Sequence, residues 1–440
     1  MLMHRINSKP SWPERGRASW SFHRLLRYLH NTANRNPAPF VLFVLAISLW
    51  PLVATRNPPP EGDVTLYRAV SAGLASGRIP YRDLQVEYPP YAIPLFSLPR
   101  LFGAQAYVQS WIAVAIVCDC LIKYLLFVAG AWRPAGMHSF LPMLSYCAVV
   151  PFMKYFYFER YDLWPSLVCL AAILLFCSGR QFWSGLGMAI GAGLKVYPVV
   201  FIPVLAVIAW RQAKATRFIA GLIAGLLPIA VASFVIPWWR FAEFQSARGL
   251  QVESVYASIL WLGKQLGLVR VQWEFTRKWF EVTGPPASVL VPWARAIFVV
   301  ATGIATVLAV RAAARLKNPS PAQLARLLLA PLLAFIAFNN VLSPQFMIWI
   351  LPLAAIGFVE GKALPMLTIF FAVVLTPIFY PSLFDDYAAG LNLFETSILV
   401  IRNLGLIAAL LLIYTGFREP TLLPVRNLPA AAVTEHGIGA

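Results

Sequence analysis

The chain is 440 residues long, 59% apolar and 12% charged, where a soluble domain is about half apolar and about a quarter charged. Its mean hydropathy of +0.68 and its long apolar runs exclude an ordinary water-soluble globule. The formal charge of +18 does not point to nucleic acid, because the basic residues are scattered through short loops without a basic helix or a stacking platform.

Residues 1–38 are basic and lead into the apolar run Phe40–Ala54, with no A-x-A cleavage site after it. That run therefore reads as a first anchor and the stretch before it as a cytoplasmic tail. Lipid offers no partner to backbone N–H and C=O groups, so apolar runs of near-spanning length are expected to be helices. Spans are expected at 39–55, 105–131, 138–153, 161–178, 182–194, 196–210, 217–237, 290–311, 326–341, 345–359, 364–381 and 395–416. A further short or re-entrant piece is expected at 89–103. The fold class is all-α: a polytopic membrane protein of about 12 transmembrane helices over 39–416, followed by a cytoplasmic C-terminal tail at 417–440. Five cysteines (Cys118, Cys120, Cys147, Cys169, Cys177) fall in or beside apolar runs without metal-ligand spacing and read as small hydrophobes.

Two segments, about 56–104 and about 238–289, are too long to be simple connectors. In the first, Val64, Tyr67, Ala69, Val70 and Leu74 recur at helical spacing, which predicts an interfacial helix over 64–76. The second is dense in Trp and Phe and is expected to lie along the membrane surface. With the N-terminal tail inside, the cytoplasmic side carries 19 Lys and Arg against four acids. Both long segments then face outward, and both termini are cytoplasmic. No internal repeat of helix pairs is visible, which weighs against a repeat-built transporter.

The groups able to carry chemistry follow in chain order. Glu61-Gly62-Asp63 places two carboxylates where a turn could aim both at one ligand, one of them accepting a proton from an attacking hydroxyl; the plainer reading is a solvated loop start. Arg78 and Arg82 either bind phosphate or pair with Asp83 and Glu87. Glu87-Tyr88-Pro89-Pro90-Tyr91 is a rigid extended run whose aromatic residues stack on a sugar or sit at the interface. Asp119 and Lys123, four apart inside a span, read as an intrahelical ion pair.

Lys195 interrupts an apolar run, where a lysine is costly without a partner. It either holds a lipid phosphate or snorkels at a helix junction. Arg248, Gln251 and Glu253 bring a phosphate donor, an amide and a carboxylate together within seven residues, and Ser343-Pro344-Gln345-Phe346 with Trp349 ends another helix pair after Asn339-Asn340. Glu159-Arg160-Tyr161-Asp162 and Asp385-Asp386 mark further outer turns, each by itself a solvated helix end. All five histidines fall in the cytoplasmic loops or tails. Polar groups thus gather at the outer ends of the helices, which predicts an outward-facing site.

The acidic pair, then P-Y-R-D…E-Y-P-P, K-x-Y-P, R-G-x-Q-x-E-S and S-P-Q-F-x-x-W in that order resembles glycosyltransferase family 87, a branch of the GT-C membrane glycosyltransferases. The resemblance covers roughly Asp63 to Trp349 and implies a GT-C fold and an inverting transfer from a polyprenyl-phosphate sugar, most directly mannose, to a lipid or glycan acceptor on the periplasmic face. Carried across, Asp63 is the base, with Glu61 completing an E-x-D motif. Lys195, Arg248 and Arg82 bind the donor phosphate, and Glu87, Tyr88, Gln251, Glu253 and Gln345 line the substrate pocket. No cofactor is required; a divalent cation at Glu61 and Asp63 is compatible. An arabinofuranose donor, a sugar-lipid transporter and a non-catalytic scaffold are the other readings. Convergence of Asp63, Lys195 and Arg248 within about 15–20 Å is the geometric requirement of the first.

Overall fold

A computed structural model of the chain describes residues 42–49, 62–131, 140–276, 279–358, 363–380 and 391–417. The tails at 1–38 and 418–440, Glu61 and Asp385-Asp386 lie outside the described residues.

After a helical run at 42–49, α1 (Val64–Ala75) and α2 (Ala92–Ser97) flank the extended stretch that carries Glu87 and Tyr88. Then come α3 (Tyr107–Ala131), α4 (Leu141–Val149), α5 (Lys154–Glu159), α6 (Leu163–Cys177) and α7 (Gln181–Leu194). They are followed by α8 (Ile202–Arg211), α9 (Ala215–Ala232) and the short α10 (Phe241–Ser246). Strand β1 (Leu250–Gln251), α11 (Val255–Gln265), β2 (Gln272–Thr276) and β3 (Trp279–Thr283) complete the second long segment. The remaining helices are α12 (Pro285–Ala313), α13 (Pro321–Ala337), α14 (Met347–Gly357), α15 (Ala363–Phe379) and α16 (Leu393–Phe417).

By length and composition four of these helices, α3, α9, α12 and α16, can cross a membrane, and five spans result if the bent pair 141–159 and 163–177 counts as one. The other apolar helices are shorter than a span, so the expected count of about twelve is not reached on this measure. The expected interfacial helix at 64–76 is α1, and the piece expected at 89–103 is α2 with a 3₁₀ turn over Leu98–Phe102.

Burial sorts the helices into layers. Every residue of α14 is buried, and α13 nearly matches it, so these two form the centre. Helix α13 starts cleanly because Ser320 and Gln323 form a capping box with Pro321 at the first position. In contrast α9 and α12 expose long apolar faces, Phe234 at 90% just past α9 being the extreme. Apolar side chains left uncovered on a helix of spanning length face lipid. Helices α7 and α9 meet backbone to backbone: a Cβ on Gly221 would overlap the carbonyl oxygen of Phe182, and one on Gly185 that of Phe218. Small residues allow this approach where lipid supplies no hydrophobic drive.

The fold is not purely helical. Strands β1, β3 and β2 pair antiparallel in that order, with Leu250 opposite Val282 and Phe275 opposite Phe280. The aromatic run expected to lie along the membrane surface supplies part of this sheet. Alternate residues send Val271, Trp273, Phe280 and Val282 inward to pack with Leu250 and Trp261, while Trp279 lies on the other face, in the cavity wall.

Candidate functional site

The helices break where the sequence changes from apolar to polar, and the breaks meet. Between α5 and α6 the chain turns by 120°, with Arg160-Tyr161-Asp162 at the apex. Helix α7 stops at Lys195, whose extended backbone precedes a 3₁₀ turn over Tyr197–Phe201. Between α13 and α14 lies a third break, ending in a 3₁₀ turn over Pro344–Phe346. These apices, the Asp63 turn and the segment around Arg248 line one cavity of about 600 Å³.

Asp63 stands at the N-terminus of α1. Its neighbour Gly62 adopts φ +42°, and a Cβ there would overlap the Glu159 carboxylate, so the turn admits glycine for two reasons. The Asp63 carboxylate forms an ion pair with Arg160 and accepts a hydrogen bond from the Tyr88 hydroxyl at 3.2 Å. Burial holds the Tyr88 phenol protonated by raising its pKa well above the usual range. The Tyr88 carbonyl accepts from the Tyr81 hydroxyl at 2.6 Å, which fixes this stretch against α1.

Lys195 Nζ lies 3.1 Å from Asp162 Oδ1, with side chains 16% and 1% exposed. Trp349 Nε1 donates to the same oxygen at 2.7 Å. Three rings surround the ammonium, with centroids 4.4 Å (Tyr161), 5.6 Å (Tyr88) and 5.6 Å (Trp349) away. Each ring face adds attraction for the cation. Lysine is held here by a carboxylate and an aromatic cage, which the snorkelling reading does not provide.

Arg248 lies opposite, stacked 4.9 Å over Trp279. Burial lowers its pKa, opposed by Glu87 and Glu281, yet a guanidinium stays charged. Its Nε has no hydrogen-bond partner. The surrounding backbone is pinned by Arg295, whose Nη2 donates to Ser246 O at 2.7 Å and to Arg248 O at 2.8 Å. Asn340 Nδ2 donates to Gly249 O at 2.8 Å. Gln251 and Ser343 bond through their side chains at 3.1 Å, tying the third break to this segment.

Glu253 lines the cavity but turns to Arg402, Oε2 to Nη2 3.1 Å. Burial pushes its carboxyl up to about 7, while Arg402 pulls it down. Gln345 and Glu87 also line the cavity. Arg82 does not. Its guanidinium binds Asp83 at 2.9 Å with 57% of the side chain exposed, so the expected phosphate role gives way to the local pair. Among the described residues no three His, Cys, Asp or Glu side chains gather to hold a metal.

Of the expected residues, Asp63, Glu87, Tyr88, Lys195, Arg248, Gln251, Glu253 and Gln345 therefore share one cavity. Arg160 and Asp162 read from sequence as a solvated helix end, whereas Asp162 is buried and Arg160 pairs with Asp63 at the cavity wall. Arg295 had no place in the sequence reading; an arginine near the outer end of an apolar run was the available signal.

The family model described as glycosyltransferase family 87 matches residues 87–344, more than half of the chain. The match includes Arg160, Lys195 and Arg248 and begins after Asp63. A search of curated proteins gave no match.

Proposed function

Because the chain belongs to glycosyltransferase family 87 and is a transferase, we propose that it moves a hexose, mannose foremost, from a polyprenyl-phosphate donor to a lipid or glycan acceptor with inversion. The site faces the periplasm in this reading, both termini are cytoplasmic, and the short apolar helices complete about twelve membrane segments. What carries it is that Asp63, Lys195 and Arg248 line the same cavity.

The acceptor hydroxyl attacks the anomeric carbon while Asp63 takes its proton. The bond from that carbon to the phosphate oxygen breaks, and its electron pair leaves with the lipid phosphate. That group departs as an anion, so it needs positive charge more than a proton. Arg248 supplies a charge with no acid paired to it among the described residues, and Lys195 and Arg160 supply further charge from opposite sides of the bend. Tyr88 and Arg160 together hold the Asp63 carboxylate, so that it meets the incoming hydroxyl in a fixed orientation.

The test incubates purified protein with a panel of polyprenyl-phosphate hexoses and pentofuranoses, including arabinofuranose, and follows release of lipid phosphate. Turnover with one donor is expected to fall by about 10²–10⁴ in Asp63→Asn. Undiminished turnover in that variant would remove Asp63 from the chemistry.

A further inference from the structure

A second cavity, of about 420 Å³, adjoins the first and shares Glu87, Tyr88 and Trp279 with it. Between them runs α10. Its residues Phe241, Ala242, Gln245 and Ser246 line the first cavity, whereas Glu243, Phe244 and the following Ala247 line the second. No residue of α10 is buried, and Gln245 Nε2 to Glu87 O at 3.2 Å is one of the few bonds holding it. One exposed turn of helix therefore acts as a partition.

The two sides differ in charge. The first cavity holds the cations Arg160, Lys195, Arg248 and Arg295. The second is lined by no Lys or Arg; its polar side chains are Gln85, Glu87, Tyr88, Glu243 and the indole of Trp279, on a floor made by Leu66 and Val70 of α1. An anionic ligand would meet Glu243 there and no Lys or Arg in the lining, which disfavours it. A neutral polyol fits: carboxylates and an amide accept from and donate to hydroxyls, and Phe244 with Leu66 and Val70 offers an apolar wall to one side of a pyranose.

We infer that this second cavity is the acceptor-sugar subsite, taking a neutral glycoside whose reacting hydroxyl passes Tyr88 to reach Asp63. The inference rests on the transferase reading above. Tyr88 lines both cavities and hydrogen-bonds Asp63, so it marks where the two substrates meet. The sequence thus divides the work across one helix, cations on one side for the phosphate and acids with rings on the other for the sugar.

Cysteine protection separates this idea from the donor reading. Ser246→Cys and Ala247→Cys place thiols on opposite sides of the partition, and both positions are exposed. Labelling by a neutral maleimide is followed against the unsubstituted chain, with polyprenyl phosphate or octyl mannoside, glucoside and galactoside as probes. At saturation one octyl glycoside is expected to slow labelling at position 247 by about tenfold and to leave 246 unchanged; polyprenyl phosphate should do the reverse. Failure of every glycoside to protect 247, or equal protection of both positions, overturns the acceptor subsite. Failure of polyprenyl phosphate to protect 246 counts against the donor reading, and the glycoside arm still decides this one. Should a cysteine variant not fold, Glu243→Gln and Phe244→Ala serve instead. They are expected to raise the acceptor KM about tenfold with the donor KM unchanged, and a rise in both or in neither overturns the proposal.

Discussion

Two of the ion pairs largely withdrawn from water among the described residues differ in their surroundings. Asp119 and Lys123 sit one turn apart in α3, each 1% exposed, with Ser48 donating to Asp119 at 2.7 Å and accepting from Lys123 at 2.8 Å. This group is closed on itself inside a span, and it ties the helical run at 42–49 to α3. Asp162 and Lys195 come from two helix breaks instead; Asp162 is buried, and Lys195 lines the cavity. Both pairs satisfy the need to neutralise a charge in an apolar setting. Only the second can exchange its partner for an incoming anion, because space lies beside it. Ionisable residues in a membrane protein therefore separate by whether they close a helix face or line a break.

The largest effect should break the closed pair. Lys123→Met leaves Asp119 buried without its cation and is expected to cost about 3–5 kcal/mol of stability. Thermal unfolding in detergent would read this, and Asp119→Leu added to it should recover most of the loss. If the single variant melted with the native protein, the pair would not be the strut described. On the open side, Arg248→Ala should lower kcat/KM by about 10²–10³ through loss of phosphate stabilisation. Its melting temperature should change much less than that of Lys123→Met, which sharpens the contrast.

Glu253 and Arg402 are intermediate, a closed pair at the cavity edge. The folded state raises the Glu253 pKa from 4.5 to about 7, so it holds the proton more tightly than the unfolded chain. That contribution is complete below about 4.5, declines as pH rises through the window and is gone above about 7. Melting temperature should follow this slope in the native protein, and Glu253→Gln should flatten it. The smallest effect is expected at the exposed pair: Arg82→Ala should leave stability and activity nearly unchanged. A large activity loss there would return Arg82 to the phosphate site.

Spans were legible because an apolar run has few alternatives in lipid: 105–131 became Tyr107–Ala131 and 395–416 became Leu393–Phe417. Asp162 shows why the site was less so. Its hydrogen-bond partner Trp349 is 187 residues away, and nothing local distinguishes a carboxylate held by a distant indole from one in water. Arg82 is the opposite case, where both readings were open and the adjacent acid decided. Residues 272–283 alternate as strands do, yet their density of aromatic rings pointed to the membrane surface; only Leu250 and α11 supply the packing that made a sheet.

The glycine seam between α7 and α9 joins the lipid-facing side of the protein to the cavity. Helix α9 faces lipid along much of its length, so its tilt responds to hydrocarbon thickness. Because backbone meets backbone at Gly185 and Gly221, α7 cannot lag behind that tilt. Lys195 terminates α7, so the seam also fixes where its ammonium stands at the cavity wall.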